Sequence, residues 1–399
     1  MRKLLTVSFC LCIAIVFSLA TANASTVAAQ KEWTILVFIN GNNNLDKYGA
    51  EDINEMETVG STEKVNVVVQ WASLRNRTVQ RLLVTKDDQP TRVTSPILKD
   101  LGSVDMGDWQ SLVEFVQWGV ENFPAEKYFI DIWNHGSGWD RIKNGFHAQD
   151  ISFDDITGNA ITTKQLGQAL DASAKIIGHK VDIYGSDACL MGMLEVAGEV
   201  ADSVGVFVGS EETEPLKGWP YDSFLSAWNV LEDATPVNVA KALVESYVPS
   251  YQGGAQGNKQ VTLSAFDLSK IDGVYSSIKD LSERIRNLSA AERAKVLDAA
   301  TRTESFEISD NKDFLDFLDL LSAEGIESLR LEDLAETKET IKGFIVANGV
   351  TDNYVRAQGA AVWLPTWKWD YHPKKTRYSS LVFDQKTQWS LALQAIIGE

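Results

Sequence analysis

Two short segments carry side chains able to do chemistry: Gly185-Ser186-Asp187-Ala188-Cys189 and Asn134-His135-Gly136-Ser137-Gly138. Each closes a run of strand-like apolar residues, 181–184 before the first and 128–133 before the second. A thiolate is a strong nucleophile, and an imidazole exchanges protons near neutral pH. Leu190, Met193, Leu194, Ala197 and Val200 recur at helical spacing, which predicts a helix opening directly after Cys189. A helix N-terminus there would favour the thiolate. Side chains alternate along a strand, so extended backbone through Cys189 sets Asp187 on the same side as the sulfur. Gly136 and Gly138 allow a tight backbone whose N–H groups can face a ligand. The plain alternatives are an inert core cysteine, the commonest fate of a free thiol, and a loop histidine satisfied by its neighbours. His147, His179 and His372 lack a comparable setting, and no two histidines have zinc-like helical spacing.

The elements that would position these residues are legible as apolar runs. Residues 33–40, 65–71, 79–84, 128–133, 181–184 and 205–209 read as strands buried on both faces. Helical periodicity occurs over 49–59, 108–123 and 162–172. Strands alternating with helices predict an α/β sandwich with a largely parallel sheet. Ligands bind such sheets beyond the carboxyl ends of the strands, where His135, Cys189 and the Glu211 loop all fall. Past residue 233 the pattern turns mostly helical, over 237–247, 271–288, 290–301, 313–321 and 331–348, with strands at 260–266 and 359–365. The last of these is expected to return to the edge of the main sheet.

Residues 1–24 read as an export signal: Arg2 and Lys3, an apolar run, then Ala22-Asn23-Ala24 as a small-x-small cleavage site. The apolar run is short for a membrane span, so no anchor is expected once the signal is removed. The expected division is therefore a signal at 1–24, a catalytic domain at 25–232 and a mostly helical region at 233–399. The location is exported, periplasmic or secreted. Cys10 and Cys12 leave with the signal, making Cys189 the one cysteine of the mature chain and excluding an internal disulfide. A net charge of −18 argues against nucleic acid and anionic membrane as partners.

The segments NHGSGW, ISFDDITGNAIT, GSDACLMG and SEETEPLKGWPY occur in an order that resembles the clostripain family of cysteine peptidases, in the clan of caspases, gingipains and legumains. The resemblance is close over 33–231 and looser beyond. It implies a caspase-like α/β/α sandwich, with Cys189 as nucleophile, His135 as catalytic histidine and the Gly136 N–H, with that of Cys189, as oxyanion hole. It also implies Asp187 as the acid of a pocket for arginine or lysine, so that the partners are polypeptides with basic residues. Glu211, Glu212 and Trp219, in the loop after residue 209, are further substrate-binding candidates. Leu216-Lys217 depart from the family pattern, which has a glycine after the Glu-Pro pair, and leave the shape of this loop open.

The implied chemistry is acyl transfer through a thioester, with His135 protonating the leaving amine. The competing readings are a peptidase of the same clan with another specificity, and an inert exported binding protein with a buried cysteine. The connection 139–163 is long for a compact domain. It carries Arg141 and Lys143 close behind His135, and relatives in this clan are often activated by cleavage in the equivalent stretch. Arg141 and Lys143 are therefore candidate self-processing sites. No cofactor is required. Some relatives depend on calcium, and Asp150, Asp154 and Asp155 could supply oxygen ligands, the alternative being a solvated acidic loop. The sequence leaves the oligomeric state open.

Overall fold

A computed structural model describes residues 30–140, 142–144 and 147–398, with 142–144 and 147–149 described by their backbone path alone. The expected signal, residues 1–24, and Arg141 lie outside the described residues, as does the Lys143 side chain.

Nine strands form the central sheet: β1 (Lys31–Gly41), β2 (Val65–Ser73), β3 (Thr78–Leu83), β4 (Ile97–Gly102), β5 (Ala125–Trp133), β6 (Val181–Asp187), β7 (Val204–Gly209), β8 (Thr262–Asp267) and β9 (Ile345–Val350). Their order is β9-β8-β7-β6-β5-β1-β2-β3-β4. The five strands from β7 to β2 are parallel. The two outer pairs, β8–β9 and β3–β4, join them antiparallel. Two apolar cores cover the two faces. On one lie α1 (Asp46–Glu57), the helix Tyr221–Asn229 and the helix Pro236–Tyr251. On the other lie Trp109–Asn122, Thr163–Ile177, Leu194–Val200 and most helices after Ile271. The central parallel strands are largely apolar because both of their faces are covered. This is the α/β/α sandwich with a largely parallel centre that the alternation predicts.

Several expectations are corrected. The helix after Cys189 starts at Leu194, five positions on, instead of at the cysteine. Leu190 takes φ 63°, and the N–H groups of Leu190 and Gly192 donate outward to Glu212 O and Ser210 O. The segment thus bonds the neighbouring loop before any helical turn closes, and the helix dipole does not act on the thiol. The helix Leu331–Phe344 stops before 348, and Ile345–Val350 becomes β9. The β-branched pair Ile345-Val346 and the following Asn348-Gly349 favour strand and turn over helix. The sheet edge is therefore taken by β9, while Ala361–Trp363 pairs with Asn311–Asp313 and makes one bridge to Met193. Strand β4, with five of its six residues exposed, carries no apolar pattern to reveal it. The connection 139–163 is not plain loop: it holds two small hairpins, Ile142–Asn144 with His147–Gln149 and Ile151–Asp154 with Asn159–Ile161.

Candidate active site

Parallel pairing of β5 with β6 sets Trp133 opposite Asp187, so His135 and Cys189 leave the sheet at adjoining strand ends. The Asn134 N–H donates to Asp187 O at 3.2 Å. The Asn134 side chain donates to Asn40 O at 2.6 Å and accepts from Phe153 N at 2.7 Å, which fixes the turn that carries the histidine. Gly136 lies directly against the cysteine: a Cβ there would stand 2.6 Å from Cys189 O, so only glycine allows the approach. Among the described residues, the N–H groups of Gly136 and Cys189 have no carbonyl acceptor. That leaves them available to an oxyanion.

Half-buried His135 bonds Asn44 Oδ1 through Nε2 at 2.7 Å. With Nε2–H engaged there, Nδ1 is left to take or give a proton. Burial lowers the imidazole pKa, and the nearby Asp155 charge offsets part of this. Cys189 is half-buried, and its sulfur accepts from Glu214 N at 3.4 Å. Burial raises the thiol pKa, and the Glu212 and Asp187 charges add to this, opposing the Glu214 N–H. Both shifts favour the uncharged forms. The expected helix N-terminus lies at Leu194 and not at the sulfur.

Beneath the cysteine lies a cluster of carboxyl groups. Asp187 is 4% exposed and accepts from Trp219 N at 3.1 Å and Tyr221 Oη at 3.0 Å. Tyr221 Oη also donates to Asp131 Oδ2 at 2.6 Å, and Trp133 Nε1 donates to Asp52 Oδ2 at 2.5 Å. The Glu214 carboxyl is buried beside Asp187. Burial pushes Asp187 up to about 6, against hydrogen bonds from Glu214, Trp219 and Tyr221. Glu214 is raised well above the carboxylate range, by burial and then by the Asp187 charge. No cation contributes to either shift, so among the described residues the pair has no basic counterpart. The loop over this cluster turns at Gly218, whose φ of 54° and N–H bond to Pro215 O close it while Leu216 and Lys217 stay exposed. A Cβ at Gly218 would lie 2.7 Å from Asp187 Oδ2. Gly218 thus supplies, two residues later, the turn left open by Leu216-Lys217.

The other candidates are placed differently. Trp219 is fully buried, and its backbone rather than its indole holds Asp187. Glu211 is fully buried away from this cluster, its carboxyl against Asp313. Glu212 accepts from Glu307 N at 3.1 Å and Tyr354 Oη at 2.9 Å. Both face the chain's own C-terminal region. Lys143 lies in the first small hairpin. Asp154 spends its carboxylate on Asn42, Met106 N, Ile156 N and Thr157 N. Among the described residues no three His, Cys, Asp or Glu side chains converge as a metal site would require. No helix among them is long and apolar enough to cross a membrane. Asn44, Asp52, Asp131, Glu214 and Tyr221 were not singled out in the sequence. Asp131 had a signal, a lone acid inside the apolar run YFIDIW.

A thiol and an imidazole at adjoining strand ends of a covered parallel sheet, beside a cluster of buried carboxyl groups, define a cysteine-hydrolase type of site. The family model for the clostripain family, Peptidase C11, matches residues 37–393. The chain belongs to the clostripain family. Clostripain from Hathewaya histolytica is 23% identical over 298 residues, which are 64% of this chain and 56% of that protein. The chain therefore spans little more than half the length of this curated relative. A secreted C11 cysteine protease from Bacteroides thetaiotaomicron, solved with an irreversible peptide inhibitor, superposes with a TM-score of 0.70 at 19% identity, covering 90% of this chain and 99% of that one. An inactive zymogen C11 protease from Parabacteroides distasonis gives 0.68 at 16% identity, covering 90% and 98%. These two likenesses establish the fold.

Proposed function

We propose that this protein is an exported cysteine endopeptidase that cleaves polypeptides after arginine or lysine. One observation carries the reading: a buried carboxyl pair, Asp187 and Glu214, lies beside Cys189 and has no basic counterpart among the described residues. A buried charge without a partner is costly, and a guanidinium or ammonium from a substrate is its natural complement. With a basic side chain there, the following carbonyl carbon comes to the Cys189 sulfur. His135 Nδ1 takes the thiol proton as sulfur attacks. The N–H groups of Gly136 and Cys189 receive the oxyanion, and the imidazolium then protonates the departing amine. Water, activated by the same imidazole, releases the acyl group.

Export rests on the signal-like residues 1–24 and on the secreted character of the Bacteroides relative. The test is hydrolysis of arginine and lysine peptides by the mature chain. Cys189→Ala should abolish turnover and keep the fold, since it removes one sulfur atom. His135→Ala should lower kcat far more than it raises KM, because a proton-transfer group acts in the transition state. Turnover near wild type in Cys189→Ala would end the reading.

A second reading concerns the state of the molecule. Burial disfavours both the thiolate and the imidazolium, which fits a form that is latent until the chain is cut. Self-cleavage at Arg141 or Lys143 would then activate it.

A further inference from the structure

We propose that this chain has a second specificity pocket, an apolar one, that reads a residue on the C-terminal side of the scissile bond. The inference rests on the peptidase reading above. The pocket has a volume of about 320 Å3 and lies at the carboxyl end of the sheet, lined by Leu74, Val79, Val104 and Ile156, with Asn42 and Arg77 at its margin. Leu74 is 37% exposed and Ile156 59%, so two large, partly solvent-facing aliphatic side chains line one hollow. Lone exposed apolar residues are ordinary, whereas a grouped pair around a cavity marks a binding surface.

Its place relative to the catalytic pair identifies the occupant. The acyl half of the substrate stays on Cys189, its basic side chain held at Asp187. The leaving amine takes its proton from His135, so the chain beyond the scissile bond departs on the histidine side. Strands β6 and β5 carry Cys189 and His135, and the next strands in that direction are β1, β2 and β3. At their ends stand Asn42 and the turn from Leu74 to Arg77.

The hollow adjoins the histidine through bonded neighbours. Asn44 holds His135 Nε2. Asp155, whose charge acts on His135, donates its N–H to Asn42 O at 2.9 Å. Asn42 and Ile156 then form the near wall. Strands are spaced about 4.8 Å apart, so the pocket lies roughly 10–15 Å from the histidine strand. An extended peptide advances about 3.3 Å per residue, which brings roughly the third to fifth residues after the cut over it. Arg77 is the one charged residue lining it, so it disfavours the basic side chains that the Asp187 pocket takes. The two pockets thus read opposite chemistries on the two sides of one bond.

The test compares two quenched peptides with arginine before the cut and either leucine or serine at the third to fifth positions after it. Leucine should raise kcat/KM about tenfold or more, the usual range for filling an apolar pocket. In Leu74→Ser/Ile156→Ser that ratio should fall toward one, and because it is taken within a single variant, overall activity cancels. Ile156→Ser alone, at an exposed position, should move it the same way if the double variant does not fold. A ratio near one in wild type, or an undiminished ratio in these variants, would overturn the inference. An arginine coumarylamide has no residue after its scissile bond and tells the two failures apart. Its hydrolysis alongside a ratio near one removes the second pocket alone, and its resistance removes the peptidase reading and the pocket with it.

Discussion

Burial holds the Asp187 carboxyl at about 6, and burial with the Asp187 charge raises Glu214 well above the carboxylate range. A cationic side chain binds the ionised Asp187. Protonation of Asp187 below about 6 removes that attraction, so kcat/KM for arginine peptides should fall as pH falls through this value. A pH profile of kcat/KM checks the direction. Asp187→Asn should weaken arginine cleavage by on the order of 2–5 kcal/mol of transition-state binding, as when a buried ion pair loses one partner. An unchanged arginine preference would assign the reading to Glu214. Cys189, His135, Gly136 and Asp187 were legible because each sits at a polar break after an apolar run. Glu214 and Asn44 were not. Each meets its partner only through strand pairing, which joins residues far apart in the chain and leaves no local pattern.

The loop after β7 shows why the elements were easier to read than their joints. Buried strands announce themselves as apolar runs, but the turn behind Cys189 is shaped by bonds from another part of the chain. Thr262, fully buried at the start of β8, accepts from Glu211 N and Glu212 N at 3.1 Å and pairs with Ser210 Oγ at 3.0 Å. Ser210 and Glu212 in turn accept from Gly192 and Leu190. The late start of the helix at Leu194 follows from these contacts and was invisible to periodicity. Thr262→Val should orphan the buried Glu211 N–H at roughly 1–3 kcal/mol and leave the Glu212 N–H only Ser210 Oγ at 3.3 Å, read as a lower midpoint in urea and reduced turnover. The connection between β5 and the helix Thr163–Ile177 carries the other expectation at this scale. Expressed side by side, wild type should yield two fragments joining near Arg141 or Lys143, while Cys189→Ala stays whole by gel and mass spectrometry. A single fully active wild-type chain would exclude self-processing.

Among the described residues, several buried acids have their pKa raised chiefly by burial. Asp187 and Asp313 are raised to about 6, Glu55 and Glu195 to about 7. A carboxyl whose folded pKa lies above its unfolded value stabilises the fold below the unfolded pKa, and loses that contribution as pH rises through the folded one. The ligand-free chain should therefore melt at a lower temperature at pH 8 than at pH 5. An arginine-containing inhibitor should recover more of the loss at the higher pH. Scanning calorimetry at both values decides it. This ledger could not be read from the net charge of −18, because composition does not say which acids are buried.

The support of the cysteine turn also has a direction in time. Ala361 N donates to Gly192 O at 3.0 Å, Trp363 N and Tyr378 Oη hold the Glu195 carboxylate at 2.8 Å, and Thr262 pins the facing loop. All these partners follow Cys189 in the chain, and chains are made from the N-terminus. A ribosome that has just completed the catalytic residues has produced a nucleophile without its backing. Residues 262–378 therefore set the moment at which the thiol is seated, well after Cys189 itself has been made.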